Sequence, residues 1–164
     1  MGRQRVEPGF GQESVWDYPR PPRMEDVEKK VKVVFGGITI AYSLRAKRVL
    51  ETSHPPVYYV PPEDVRTEHL RLSDHTSFCE WKGYTRYYDL VTEERTEARA
   101  AWFYPEPVAS FAELKDYVAF YPSKMDACWV GGDKVESQAG DFYGGWITPE
   151  IVGPFKGASG TWGW

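Results

Sequence analysis

Aromatic side chains are the feature that most restricts how this chain can fold. The sequence has 26 of them, from seven Trp, eleven Tyr and eight Phe, whereas Leu and Ile together supply only ten residues. Helical bundles need the opposite balance, because Leu packs helix seams at little conformational cost. Aromatic and β-branched residues suit half-buried strands, and the 16 Val agree with that preference. The sequence therefore predicts a mainly β domain.

Length, charge and hydropathy limit the class of protein. A chain of 164 residues suits one domain, and a net charge of −4 without a basic stripe argues against nucleic acid as a partner. The longest uncharged stretch, 33–44, covers twelve residues, which are too few to span a membrane. The N-terminal sequence lacks the apolar region of a secretory signal, so Cys79 and Cys128 are expected to be reduced thiols in a cytoplasmic protein.

The composition changes twice along the chain. We expect residues 1–27 to form an extended N-terminal arm, residues 28–130 the core domain, and residues 131–164 a tail rich in Gly and Trp. Exposure of Trp side chains to water is unfavourable, so we expect this tail to pack on the core or on a partner. A homodimer formed through the tail is one alternative that follows from this composition.

Period-two alternation of apolar residues predicts a series of strands. The predicted strands are Val31–Phe35, Ile38–Tyr42, 46–51, 57–60, 78–81, 84–91, 96–104 and 125–130, with a weaker candidate at 68–72. Gly36-Gly37 and Lys82-Gly83 separate two pairs of these strands, which is typical of hairpin turns. One face of the strand over 96–104 is expected to carry Ala98, Ala100, Trp102 and Tyr104.

One short helix is predicted near 111–118. Ser110 and Glu113 have the spacing of a capping box, in which each side chain bonds the backbone of the first helical turn. The apolar residues that follow at helical spacing, Phe111 and Leu114 first, are expected to pack against a sheet.

Residues 31–129 contain several multi-residue motifs in a fixed order. The first is Arg45-x-x-Arg48-Val49-Leu50-Glu51-Thr52-x-His54-Pro55-Pro56-x-Tyr58-Tyr59-x-Pro61. Later motifs include Cys79-x-x-Lys82-Gly83, Tyr87-Tyr88, Ala101-Trp102-x-Tyr104-Pro105 and Tyr117-Val118-Ala119-Phe120-Tyr121-Pro122. In these motifs the chain resembles the family called domain of unknown function 427.

This resemblance implies a fold similar to the β-tent proteins, in which two antiparallel sheets lean together. It implies no assigned activity, and one fold hosts many functions. Many β-tent proteins hold zinc with paired C-x-x-C motifs, but here Lys82 stands where the second Cys after Cys79 would be. We therefore expect no metal and no cofactor. This family has also been labelled a nucleotidyltransferase. The sequence lacks the Gly-Ser followed by paired carboxylates that such an activity would need, so we do not expect it.

Glu51 and His54 form the first candidate site, together with Tyr58 and Tyr59. Glu51 is expected at the end of a strand, and His54 titrates near neutral pH, so the two could act as an acid–base pair. The structural alternative is that His54 fills the Pro55-Pro56 turn while Glu51 pairs with Arg45 or Arg48. Both interpretations fit the sequence.

Cys79 and Lys82 form the second candidate site. A neighbouring ammonium group favours the reactive thiolate, and His54 could serve as the base for such a nucleophile. The structural alternative is a small buried Cys79 beside a turn residue, Lys82.

Nine aromatic residues within the motifs form a third candidate group. They are Tyr58, Tyr59, Trp81, Tyr87, Tyr88, Trp102, Tyr104, Phe120 and Tyr121. Most are expected to be core residues, but at least two or three should border a pocket, because alternation places rings on both faces of the strands.

The leading hypothesis from the sequence is a domain that binds a small polar or aromatic-compatible ligand in a cleft. The expected lining residues are Glu51, His54, Tyr58, Cys79, Lys82, Tyr87 and Trp102. Two alternatives stay open: a small-molecule enzyme that uses Cys79 or the Glu51/His54 pair, and a homo-oligomeric interaction module that uses the Trp-rich tail.

Overall fold

Strands paired in five sheets dominate the computed structural model of the chain, which describes residues 4–140 and 142–164. The strands are β1 Glu13–Ser14, β2 Arg23–Asp26, β3 Val31–Phe35, β4 Ile38–Ser43, β5 Lys47–Leu50, β6 Val57–Tyr59, β7 Leu70–Cys79, β8 Gly83–Val91, β9 Thr96–Phe103, β10 Ala119–Phe120, β11 Ala127–Val130, β12 Asp133–Lys134, β13 Glu136–Ser137, β14 Trp146–Ile147 and β15 Ile151–Val152. The 3₁₀ helices are Val15–Asp17, Pro62–Asp64, Thr67–His69, Ala109–Leu114 and Pro122–Lys124. The predicted mainly β, antiparallel domain is confirmed. Within the described ranges, every helix is too short or too polar to cross a membrane.

Two four-stranded antiparallel sheets form the body of the molecule. One has the order β12-β11-β3-β4 and the other β10-β9-β8-β7. Both contribute to the largest apolar cluster, in which Phe35 comes from the first sheet, Leu90 from the second and Trp146 from the C-terminal segment. The predicted hairpin at Gly36-Gly37 is confirmed, and both glycines have the positive φ that such a turn requires. A three-stranded sheet, β2-β5-β6, adds to this body.

The hairpin β7–β8 is longer than the sequence predicts. The two predicted segments at 68–72 and 78–81 belong to one ten-residue strand, β7, which ends at Cys79. Its register against β8 shifts between Leu72 and Thr76, so polar residues lie within the strand at a bulge. The turn at Lys82-Gly83 is present as predicted, with the Lys82 amide donating to the Cys79 carbonyl at 3.2 Å.

The predicted face of β9 is wrong in part, because a second bulge interrupts the strand. Arg99 has φ +51, and its amide donates to the Asp89 carboxylate at 2.9 Å, so the alternation breaks there. Ala98 is consequently exposed, whereas Trp102 and Tyr104 are both buried in a second, smaller apolar cluster. That cluster surrounds the candidate site.

The predicted short helix is present as a 3₁₀ helix, Ala109–Leu114, with different bounds. Val108 is its N-cap and makes no side-chain cap bond, so Ser110 lies inside the helix instead of capping it. The helix ends before 118 because Val118 is extended and exchanges two 2.8 Å backbone hydrogen bonds with Val60. Phe111 and Leu114 are buried, as their spacing suggests.

Both chain ends contribute short strands and some buried side chains. The short strands β1 and β15 pair in parallel, and β13 pairs with β14. Val15 and Trp146 are fully buried. Residues 1–3 of the predicted arm and residue 141 of the predicted tail lie outside the described residues. The division into arm, core domain and tail stays a prediction.

Candidate functional site

A cavity of about 160 Å³ lies within the second apolar cluster. Strands β5 and β6 supply one wall, and the inner face of β7, β8 and β9 supplies the opposite wall. The loop before β14 closes one side with Phe142 and Tyr143. Segments that are far apart in the sequence therefore meet at this site.

Six of the seven residues expected from the sequence line this cavity. They are Glu51, His54, Cys79, Lys82, Tyr87 and Trp102. Tyr58 is the exception, because it points to the opposite face of β6, where its ring centroid lies 5.0 Å from that of Trp146. Neighbouring residues of a strand face opposite sides, so Tyr59 lines the cavity instead.

Lys82 is the buried cation of the site. Its side chain comes from the β7–β8 turn and is only 9% exposed, with its Nζ atom 5.9 Å from the centroid of the Tyr104 ring. Burial by itself would lower the pKa of Lys82, but interactions with Tyr104, Cys79 and Glu51 outweigh it. The pKa is raised, so the ammonium group is charged at neutral pH.

The backbone fixes the position of Lys82. Its carbonyl accepts a 2.9 Å hydrogen bond from the Val108 amide. The next residue, Gly83, has φ +116, and a Cβ atom there would lie 3.2 Å from the carbonyl oxygen of Glu106. A larger residue would be strained at this point, so the turn needs glycine to hold Lys82 against the cavity.

Buried phenols surround the ammonium group. Burial raises the pKa of Tyr104 despite the opposing effect of Lys82, and burial raises the pKa of Tyr59 well above its usual value. Both phenols are therefore neutral at pH 7. Their ring centroids are 6.2 Å apart, and Tyr104 also interacts with Thr85. The cavity thus offers hydroxyl groups beside the cation.

His54 and Glu51 lie on the side of the cavity formed after β5. Burial lowers the pKa of His54, although the Glu51 carboxylate, 3.9 Å from Nδ1, opposes the shift. Nδ1 lies 2.9 Å from the Thr52 carbonyl oxygen, so the neutral ring donates from Nδ1 and keeps Nε2 as an acceptor. Glu51 pairs with Arg20 at 3.4 Å.

The structure does not have the pairing of Glu51 with Arg45 or Arg48, which was one alternative from the sequence; Arg20 is its partner instead. Arg45 pairs with Asp64, and Arg48 pairs with Glu25 and Glu13. These partners lie outside the cavity. The two arginines therefore stabilise the surroundings of β5, and Glu51 is held at the cavity by Arg20.

Aromatic rings form most of the remaining wall. Five of the nine rings singled out from the sequence border the cavity: Tyr59, Tyr87, Trp102, Tyr104 and Tyr121. Trp102 and Tyr121 pack at 4.5 Å between centroids, and the Tyr87 hydroxyl lies 2.9 Å from Ser77 Oγ. These contacts hold the rings in fixed positions.

Phe142 and Tyr143 were not expected from the sequence. The Tyr143 ring meets His54 edge to face at 4.9 Å, and the Tyr121 hydroxyl donates to the Phe142 carbonyl at 3.3 Å. No local sequence pattern predicts that Phe142 and Tyr143 line the cavity, because their position depends on how the loop before β14 packs against distant strands. Alternation from Tyr87 and Trp102 could have found Thr85 and Tyr104, each two residues away on the same face.

The site combines a thiol, an ammonium group, a neutral imidazole and a carboxylate. Cys79 is half-buried at the cavity, and Cys128 is buried in the larger cluster; neither forms a disulfide. Over residues 4–140 and 142–164, no group of three or more His, Cys, Asp or Glu side chains is placed to hold a metal ion. These four kinds of group therefore border one cavity with aromatic walls.

Comparison with known proteins adds one relationship. A family model described as a domain of unknown function (DUF427) matches residues 23–131. The match includes the six expected residues that line the cavity, whereas Phe142 and Tyr143 follow it. No curated protein sequence matches the chain.

Proposed function

Because the chain belongs to the family described as a domain of unknown function, DUF427, we propose a function from its site: the protein binds a small molecule in the cavity between β5–β6 and β7–β9. One observation carries this proposal. Six side chains expected from their chemistry, from the loop after β5, β7, the β7–β8 turn, β8 and β9, border one cavity. Ligand sites commonly combine apolar walls with a few convergent polar groups.

The cavity volume limits the ligand. About 160 Å³ is close to the roughly 150 Å³ of an engineered apolar cavity that holds benzene. A ligand with one ring and a few further atoms therefore fits inside. The polar groups Lys82, His54 and Glu51 would orient such a ligand.

Binding of one-ring fragments tests the proposal. Backbone amide shifts in NMR spectra should change most at Tyr87 and Trp102 when a fragment enters the cavity. Tyr87→Ala should weaken binding by about tenfold, because a well-packed aromatic contact contributes on the order of 1 kcal/mol or more. Tyr84→Ala is the matched control, since Tyr84 lies on the same strand but faces away and is 68% exposed.

Equal losses of affinity in the Tyr87 and Tyr84 variants would contradict the proposed site. So would fragment-induced shifts that map outside β5–β9 and the loop before β14. Thermal unfolding of both variants controls for damage to the fold.

A second candidate function is a small-molecule enzyme with Cys79 as nucleophile. The observation that favours it is the Cys79 thiol beside the Lys82 ammonium group, with His54 on the same cavity. The Glu51/His54 pair would supply acid–base chemistry in the alternative version. The rate of iodoacetamide labelling of Cys79, followed from pH 5 to 9, tests this candidate. Labelling that is slow at pH 7 and becomes fast only near the pKa of an ordinary thiol argues against it.

Self-association through the C-terminal segment is a third candidate. Trp162 is 86% exposed, and the Lys156 ammonium lies 5.8 Å from the centroid of its ring. An exposed Trp is a frequent contact residue in interfaces. Light scattering should then show a dimer that Trp162→Ala dissociates, while a monomer in both proteins argues against it. The absence of nucleic acid and membrane partners and the cytoplasmic location stay predictions from the sequence.

A further inference from the structure

We infer that the ligand of this cavity is a small aromatic monoanion whose carboxylate pairs with Lys82 while its ring lies against Trp102 and Tyr87. The inference rests on the proposed function and names the class of ligand.

Lys82 is a buried cation that no carboxylate of the described residues contacts at ion-pair distance; Glu51 acts on it only from farther away. None of the ion pairs found in the described part of the chain includes it. Removing an ammonium group from water is costly unless an anion or several hydrogen bonds compensate. A charge held at 9% exposure on a cavity wall therefore favours an anion inside the cavity.

Most of the other titratable groups on the cavity wall carry no negative charge at neutral pH. Tyr104 and Tyr59 are neutral phenols, because burial raises the pKa of each. His54 is neutral, since burial lowers its pKa. Glu51 is the one carboxylate among the described lining residues, and Arg20 lies 3.4 Å from it. Two cations, Arg20 and Lys82, therefore share one carboxylate, which leaves one positive charge uncompensated.

The hydrogen-bonding groups suit a carboxylate. The ammonium group and the nearby hydroxyls of Tyr104 and Thr85 lie together on the wall, and an ammonium group with hydroxyl donors can satisfy two carboxylate oxygens. Phosphate sites usually add several backbone amides or an Arg fork, and the donors gathered around Lys82 are side chains. One cation also balances a single negative charge.

The size and the walls favour an aromatic body. About 160 Å³ accommodates one ring with a carboxylate. Trp102, Tyr87 and Tyr121 supply flat apolar faces, on which rings pack favourably in edge or offset geometry. Phe78 and Phe142, both exposed on their outer sides, form an apolar rim.

Benzoate and benzamide provide a test, because they have the same shape but only benzoate is charged at pH 7. Titrations followed by amide shifts at Tyr87 and Trp102 should show benzoate binding at least about tenfold more tightly, because hydrogen bonds between charged groups are stronger than those between neutral groups. Lys82→Met should abolish this preference while leaving benzamide affinity similar.

Lys30→Met is the matched control variant. Lys30 also places its Nζ atom 5.9 Å from a tyrosine ring, that of Tyr42, but it is exposed and far from the cavity lining. This variant should keep the wild-type preference for benzoate. Should Lys82→Met fail to fold, the comparison of benzoate with benzamide on the wild-type protein decides by itself.

The outcomes separate the inference from the proposed function. Equal or tighter binding of benzamide by the wild-type protein overturns the monoanion and leaves binding in the cavity intact. Inorganic phosphate that displaces benzoate at lower concentration overturns the carboxylate class. Failure of both ring compounds to shift Tyr87 or Trp102 overturns the proposed one-ring site itself.

Discussion

The two cysteines show how strongly the surroundings of one residue set its chemistry. Cys79 is half-buried at the cavity beside Lys82, whereas Cys128 is 1% exposed between apolar strands. Burial raises the pKa of the Cys128 thiol far above its usual value. Because the thiolate is the nucleophile, only Cys79 is in a position to react.

Iodoacetamide at pH 8 should therefore add one label to the native protein. Intact-mass spectrometry should show this label on the wild-type protein and none on Cys79→Ser, because Cys128 stays protonated and inaccessible. In denaturant, the wild-type protein should take two labels. Two labels on the folded protein would contradict the structural position of Cys128.

His54 should make the stability of the protein depend on pH. Its pKa is lower in the folded protein than its ordinary 6.5, mainly because of burial; Lys156 and Arg20 add to the shift, and Glu51 opposes it. The unfolded chain therefore binds a proton more readily as the pH falls below 6.5. The contribution to stability is present above that pH and is lost as the pH falls toward the folded-state pKa.

His54→Asn should reduce this loss of stability on acidification. An Asn amide can donate to the Thr52 carbonyl, as Nδ1 does, but it does not titrate. Urea unfolding at pH 7.5 and pH 5 should give a smaller difference in free energy for the variant than for the wild-type protein. His69→Asn, outside the cavity, should keep the wild-type difference; an unchanged difference in the His54 variant would contradict the assignment.

At the scale of elements, the loop before β14 completes the cavity because its backbone packs directly on aromatic rings. Gly144 has φ +69, and a Cβ atom there would lie 2.6 Å from Trp102 Cη2 and 3.0 Å from Tyr121 Cδ1. Glycine is needed at this position for both the backbone conformation and the close approach. The loop is thus matched to the rings that it covers.

Gly144→Ala should lower the free energy of unfolding by about 2 kcal/mol, since it combines an unfavourable φ with overpacking. The fluorescence of Trp102 should change as well, because its ring must move. Gly132→Ala is the control: a Cβ atom there meets nothing within 4 Å. Chemical denaturation measures both variants, and equal effects of the two substitutions would show that the contact with Trp102 is unimportant.

At the scale of the whole molecule, Trp146 joins the C-terminal segment to the core. It is fully buried, its Nε1 donates to the Phe120 carbonyl at 3.1 Å, and its ring packs on Tyr58. Trp146→Ala should therefore cost about 3–5 kcal/mol of stability. Trp162→Ala should cost less than about 0.5 kcal/mol, because that ring is exposed. Similar melting temperatures for the two variants would contradict this role of Trp146.

Deletion of residues 141–164 should have a larger effect than either substitution. It removes β14 and β15, which pair with β13 and β1, and it uncovers Tyr58. A sharply lower melting temperature in calorimetry is expected, with Trp162→Ala as the control. A truncated protein with an unchanged melting temperature and mass would show that the tail does not stabilise the fold.

The sequence by itself determined the class of the fold and most of the local elements. Alternation is a local property, so the hairpin at Gly36-Gly37 and the strands around it could be predicted without knowledge of the rest. The chemistry of Glu51, His54, Cys79 and Lys82 was also visible, because it depends on residue type.

Only the tertiary structure decided which of these features meet. Alternation puts Tyr58 and Tyr59 on opposite faces but does not say which face borders a cavity. The burial of Lys82 and the partner of Glu51, Arg20, depend on segments far away in the sequence. So do the bulge at Arg99 and the early end of the helix before Val118, because backbone bonds to distant residues override local preference. Long-range packing therefore turned a set of reactive residue types into one enclosed site.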